Sequence, residues 1–325
     1  MAANYWNSTQ AIYWTFTKSE LTDIRKQVAD GNQHLHAKYP IPDRRLMNIW
    51  MQQNLVRLAK RMALRQQALA TAQAYIKRFY LVVEIRKTNP YLIMTTAVYL
   101  ACKMEECPQH IRLMLGEAAR QWPELGVSES GKIGECEFAM ISTLNSRLIV
   151  HHPYRSLGDL APLFGLSTDE QGLAHCVVND SYNTDLLLLY PPHIIALAAI
   201  FMAVVLRPPG QQLQSFQSAA APHLAHPLQV PGGRYGGAPT SSTAGGPALS
   251  ASAAQNAMMG GLQASLKQVG PKLGKLVDWL AESKVDMAAL IDATQEMVSL
   301  YETWEQYNER TCREAVAKFR EGLNK

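Results

Sequence analysis

Two short stretches hold residues able to do chemistry. The first is CKMEEC, in which Cys102 and Cys107 stand five residues apart with Glu105 and Glu106 between them. Thiolates and carboxylates at close spacing can ligate zinc. A structural zinc site needs four ligands at set spacings, and nothing nearby supplies two further ligands at such spacing. The second is HHP at 151–153. Paired histidines could ligate a metal or relay a proton, but adjacent residues of a helix point to different faces, and the stretch reads as a loop before Pro153. No GxxxxGKS/T, HExxH, GxSxG or HRD/DFG set is present. The sequence therefore predicts no catalytic centre, no metal site and no cofactor.

Charges set in apolar helical stripes point to binding instead. Lys103 shares a stripe with Leu92, Thr96 and Tyr99, and Glu137 shares one with Ile141, Leu144 and Leu148. A buried charge without a partner is costly, so each needs one. Two readings are open. Lys103 can be a helix-end cation, favoured by about 0.3–1 kcal/mol, with Glu137 simply solvated. Alternatively, both face a partner protein.

Helices must position these groups. Thr17 with Glu20 three residues on makes a capping box, and Gly31 a stop. The segments 43–62 and 65–81 carry apolar residues at helical spacing, the latter rich in alanine. Pro90 opens a helix that runs to Lys103, and 130–150 reads as another amphipathic helix. The segment 168–190 precedes a buried helix at 191–206. Its longest apolar run, 194–206, is shorter than the ~20 residues a membrane span needs.

Aligning Pro90 with Pro192 brings out an internal repeat. Ile93 and Ile195, Ala97 and Ala199, and Ala101 and Ala203 coincide at one constant offset. Two similar helical bundles in tandem follow. At the place of Lys103 the second copy has Val205, so the fold itself does not require the lysine.

The 325 residues, 47% of them hydrophobic and 18% charged, suffice for about two domains with sizeable cores. The five cysteines form no CxxC pair, which suits a reducing compartment. The opening MAANYWNSTQ has no apolar leader. Lys and Arg far outnumber acids between Lys38 and Lys87, whereas the end of the chain from Asp278 is net acidic. The basic half suits an acidic protein surface or a phosphate backbone. Between Arg207 and Lys267 the only charge is Arg234, amid Pro, Gly, Ala, Ser and Gln. Such composition predicts a disordered insertion.

The blocks RQQALATAQAYIKRFY, YLACKMEE, ECEFAMISTLN, LIVHHPYRSL and VVNDSYNTDLLLLYPPHIIALA, with the opening NYW, resemble the cyclin family and specifically its cyclin C subfamily. The likeness covers nearly the whole chain outside about 208–270. It implies an all-α fold of two tandem five-helix cyclin boxes. An N-terminal arm and helix would occupy 1–38, the first box 39–150 and the second 151–325, with the insertion at 208–270 inside the second.

The resemblance further implies a nuclear, non-catalytic subunit that binds and activates the cyclin-dependent kinase of the Mediator complex's kinase module, in RNA polymerase II transcription. Lys103 and Glu137, with Glu106, match the residues that bind backbone beside the kinase's movable C-helix. An active kinase needs that helix in place for the Lys–Glu pair that holds ATP. Trp6, Glu105, Asn179, Asp180 and Tyr301 match a groove that receives another kinase-module subunit. Their plainer readings are an arm anchor for Trp6, local caps for Asn179 and Asp180, and core for Tyr301. RRLMNIW stands where cell-cycle cyclins carry a Met-Arg-Ala-Ile-Leu type docking patch, which puts such docking in doubt. The alternative is a cyclin-fold nucleic-acid-binding general transcription factor, motivated by the basic stretch. No zinc ribbon precedes the fold to favour it, and neither a membrane nor direct nucleic-acid contact is expected.

Overall fold

The structure, a computed structural model, describes residues 4–206 and 270–323. The insertion expected at 208–270 lies outside the described residues, except for Gly270. Among the described residues every regular element is helical.

An arm with a 3-10 turn, Tyr5–Asn7, leads through α1 (Thr9–Tyr13) to α2 (Lys18–Asp30) and α3 (Gln33–Lys38). The first bundle comprises α4 (Arg44–Arg61), α5 (Gln66–Val82), α6 (Pro90–Met104), α7 (Ile111–Gln121) and α8 (Gly131–Thr143). After α9 (Pro153–Leu160) and α10 (Thr168–Ser181) comes the single turn α11 (Leu186–Leu189), then α12 (Pro192–Val205). A helix over 270–282, α13, and α14 (Met287–Glu305) complete the second bundle, and α15 (Glu309–Leu323) ends the described chain. The architecture is two tandem five-helix cyclin boxes preceded by an N-terminal helix.

Each box wraps one apolar helix, α6 in the first and α12 in the second. The repeat places them. Ala97, Ala101, Ala199 and Ala203 are all fully buried, and at each a bare methyl lets a neighbouring helix come close. The core of the first box gathers Trp50, Leu55, Tyr75, Met94 and Met140. That of the second gathers Leu157, Val178, Leu197, Leu290 and Met297. Ile49, Ala70 and Ala74 of the first box belong to the second core, which binds the two bundles together.

Local rules set the boundaries. At the start of α2, Glu20 N–H donates to Thr17 Oγ1 at 3.2 Å while Thr17 N–H donates to Glu20 Oε2 at 2.7 Å, the capping box read from the sequence. Helix α8 stops at Thr143, short of the 150 expected. Asn145 and Ser146 turn left-handed, with φ of 52° and 58°, and the Ser146 N–H donates to the Ile141 carbonyl at 2.9 Å. This is a Schellman end, with Asn at the position where a left-handed residue is needed. Segment 168–190 also breaks, at Ser181, where Asn183 N–H and Thr184 N–H bond back to Asp180 and Ser181 carbonyls.

Helix α15 returns to the first box. Cys312, Val316 and Phe319, at i, i+4 and i+7, are all buried in the first core. Asn308 Oδ1 caps its start by accepting from Arg310 N–H at 3.0 Å. Arg57 on α4 grips both oxygens of the Glu309 carboxylate.

Candidate functional site

The end of α6 answers what its charges face. Lys103 Nζ donates to Glu137 Oε1 on α8 at 2.7 Å and sits 5.3 Å from the Tyr99 ring centre. That bond holds the Lys103 ammonium above its ordinary pKa. The two charges that sequence spacing left without partners are partners of each other. Glu137 is not merely solvated, since only 13% of its side chain is exposed. The next residue, Phe138, is 78% exposed, a large apolar side chain that the fold leaves outside.

Glu106 sits just beyond α6 with φ of 53°, and the Cys107 N–H donates to the Cys102 carbonyl at 2.9 Å. This is a second Schellman end, with a glutamate at the position that glycine usually takes. Its left-handed backbone throws the chain away from α6 and leaves the Glu106 side chain exposed.

Glu105 turns the other way, towards the junction of the boxes. Its carboxylate accepts from Gln67 Nε2 and from Thr71 Oγ1, each at 2.6 Å. Because Thr71 gives its proton to Glu105, its oxygen accepts from His152 Nε2 at 2.8 Å. His152 Nδ1 then accepts from the Tyr182 hydroxyl at 2.6 Å. The proton order is complete with a neutral imidazole, and burial pushes His152 down to about 3. One chain of hydrogen bonds thus ties α5, the end of α6, the linker between the boxes and α10.

Beside this chain lies a groove of about 490 Å3, bounded by Trp6, Glu105, Met104, His151, Tyr154 and His193. Trp6 is 64% exposed, its ring 5.9 Å from that of His193. It does not anchor the arm. That is the work of Gln10, whose side-chain amide bonds both the N–H and the carbonyl of His151 at 2.7 and 3.3 Å. Asn179 reaches the groove edge through the Tyr154 hydroxyl, which donates to its Oδ1 at 2.8 Å. Asp180 and Tyr301 do not line this groove. They meet each other, Tyr301 OH donating to Asp180 Oδ2 at 3.0 Å, and burial raises the Asp180 carboxyl to about 7.

Residues 11–149 match the family model of the cyclin N-terminal domain. The RNA polymerase II holoenzyme cyclin-like subunit of Aspergillus fumigatus is 50% identical over 324 residues, spanning all of this chain and 99% of that one. This chain belongs to the cyclin family. The like-named protein of Neurospora crassa is 45% identical over 342 residues, covering 98% of each. Of solved structures, a CAK complex from Chaetomium thermophilum bound to ATP-gamma-S matches with a TM-score of 0.57 at 18% identity. That match covers 100% of this chain and 90% of the other. The yeast TFIIK complex matches at 0.50 and 22% identity, over 61% of this chain and 85% of that one. At such identities the two structures speak for the fold alone.

Much of this cyclin's basic first half is spent inside the molecule. Arg45 pairs with Glu296 at 2.8 Å, Arg57 with Glu309, Arg61 with Glu117 at 3.0 Å and Arg44 with Asp185 at 3.0 Å. The acidic surface that the stretch suits is in part the chain's own C-terminal third.

Sequence reasoning missed Phe138, Thr71, Tyr182 and the inward role of His152. The HHP stretch was signal enough to notice His152. Nothing in the spacing of Thr71 or Tyr182 tells of a network closed across three helices and a linker. Among the described residues no cluster of three potential metal ligands forms. No described helix is long and apolar enough to cross a membrane.

Proposed function

We propose that this cyclin is the cyclin C-type subunit of the Mediator kinase module, which binds and activates that module's cyclin-dependent kinase in the nucleus and so regulates RNA polymerase II transcription. One observation carries the reading: the Lys103–Glu137 pair beside exposed Phe138 in the first box, where the second box has Val205 in place of the lysine. The names of the full-length relatives support the polymerase II setting.

The pair uses one ammonium proton and one carboxylate oxygen, so donors and an acceptor remain for peptide groups beside the kinase C-helix. Phe138, exposed in the free chain, supplies an aromatic anchor that binding would desolvate. The cyclin binds the kinase conformer with the C-helix in place better than the other, which shifts the population towards it. Glu106 extends the acidic rim. The Trp6 groove, with Glu105 held by Thr71 and Gln67, is a separate surface for a further kinase-module subunit. Asp180 and Tyr301 support α10 behind Asn179.

The nucleic-acid reading loses much of its motive, because many of the cations that suggested it are engaged internally. Purification of the tagged chain at native levels tests the proposal. The kinase and the other module subunits should be recovered with it. Recovery of a different cyclin-dependent kinase, or of nucleic acid without any kinase, would overturn it.

A further inference from the structure

A cavity of about 350 Å3 opens between α2 and the first box, away from Lys103, Glu137 and the Trp6 groove. Its size falls at the low end of pockets that take small molecules, roughly 300–1,000 Å3. Most of its wall is apolar, with Met47, Met51, Ile76 and Leu188 among the side chains that form it.

Its polar end is unbalanced. Lys77, only 7% exposed, donates to Asn48 Oδ1 at 3.1 Å. An ammonium has three protons to place, and no other hydrogen bond takes one among the described residues. The one carboxylate at this end, Asp185, is held by Arg25 at 2.9 Å and Arg44 at 3.0 Å. Three basic groups therefore surround a single anion. The other charged wall is closed on itself, with Glu84 accepting from Arg86 at 2.6 Å and lying 2.9 Å from His36 Nε2. Arg45 and Glu296, just beyond, are likewise paired.

We infer that this cavity is a binding site for a small amphiphilic carboxylate, its head group on Lys77 and its apolar body along Met47, Met51 and Leu188. The carboxylate supplies the missing acceptor and offsets part of the excess positive charge, while the apolar body displaces water from the wall. The empty site tolerates Lys77 by other means: burial pushes its amine down to about 7, so much of it is neutral. A bound carboxylate reverses that, and binding at pH 8 takes up a proton.

The test is calorimetric titration of the full chain with octanoate, octanol and octylamine. Octanoate should bind saturably, and octylamine should not. In buffers of different ionisation enthalpy at pH 8, the heat should report proton uptake with octanoate and none with octanol. Lys77→Met should lower octanoate affinity by at least about tenfold while sparing octanol, the loss expected for one charge-assisted hydrogen bond. Octanoate that fails to bind, binds wild type and Lys77→Met alike, or binds without proton uptake overturns the inference. The proton-uptake measurement needs only the wild-type chain, so it decides the matter even if the variant does not fold.

Discussion

Lys103 Nζ lies 2.7 Å from Glu137 Oε1, so the last cation of α6 is met by an anion on α8, while Val205 stands at the matching place in the second box. Lys103 is nearly half exposed, and such pairs contribute about 0.2–1 kcal/mol to folding. Lys103→Ala and Glu137→Ala should therefore melt within a few degrees of wild type. Kinase affinity should fall roughly 30-fold or more, because truncating one side of an interfacial charge pair costs about 2–5 kcal/mol. Phe138→Ala should weaken binding with no loss of stability. A binding titration beside melting by circular dichroism separates the two quantities, and unchanged affinity would return the pair to a purely intramolecular role.

Glu106 holds a φ of 53° with a side chain that gains nothing from it. Glycine adopts that conformation freely. Glu106→Gly should stabilise the chain by about 0.5–1 kcal/mol in denaturant unfolding. If its kinase affinity drops at the same time, the carboxylate belongs to the interface.

His152→Ala should cost about 2–3 kcal/mol, since it strips a packed ring from the box junction and leaves the Tyr182 hydroxyl without its acceptor. His152→Gln, which can still accept and donate, should recover part of that loss. Chemical denaturation of the three proteins measures both numbers.

Asp180 and His152 give opposite pH signatures. The Asp180 carboxyl is raised from its ordinary 3.8 to about 7, so the folded chain holds that proton more tightly than the unfolded one. Its contribution to stability is present at low pH and is lost as pH rises towards 7. His152 is depressed from 6.5 to about 3, and its contribution is lost as pH falls from 6.5. Against wild type, Asp180→Asn should gain relative stability as pH goes from 4 to 7, values bracketed by these two titrations. A flat difference curve would mean that the carboxyl is not protonated in the fold.

Phe319 on α15 is 1% exposed and belongs to the first core. Phe319→Ala should cost about 3–5 kcal/mol, as buried phenylalanine deletions do. Limited proteolysis should then open the first box before the second. Cleavage confined to the second box would contradict the packing.

Periodicity and punctuation made most helices legible. Thr17, Glu20, Pro90 and Pro192 act within one turn of their own position, and the alanines of α6 and α12 repeat at a fixed offset. The ends of α8 and α10 were not legible, because Asn145 and Ser181 stop helices by local hydrogen bonds that apolar spacing does not reveal. At the site, spacing showed that Lys103 and Glu137 needed partners but not that these two, 34 residues apart in sequence, are adjacent in space. Likewise Trp6 and Glu105 meet at one groove, whereas Asp180 and Tyr301 pair apart from it. Which of several exposed polar residues share a concave surface is decided by how two bundles dock, and no short window of sequence records that.

The return of α15 to the first box bears on the order in which the chain is made. Tandem domains usually fold in turn as they leave the ribosome, the first complete before the second begins. Here Cys312, Val316 and Phe319 belong to the first core yet are synthesised after every helix of the second. The first box must wait, with an apolar face uncovered, through most of translation, and Arg57 waits for Glu309. Closure of that face therefore reports that the second box has already been made, and a transcript cut short within the second box would yield a first box that holdase chaperones recognise as unfinished.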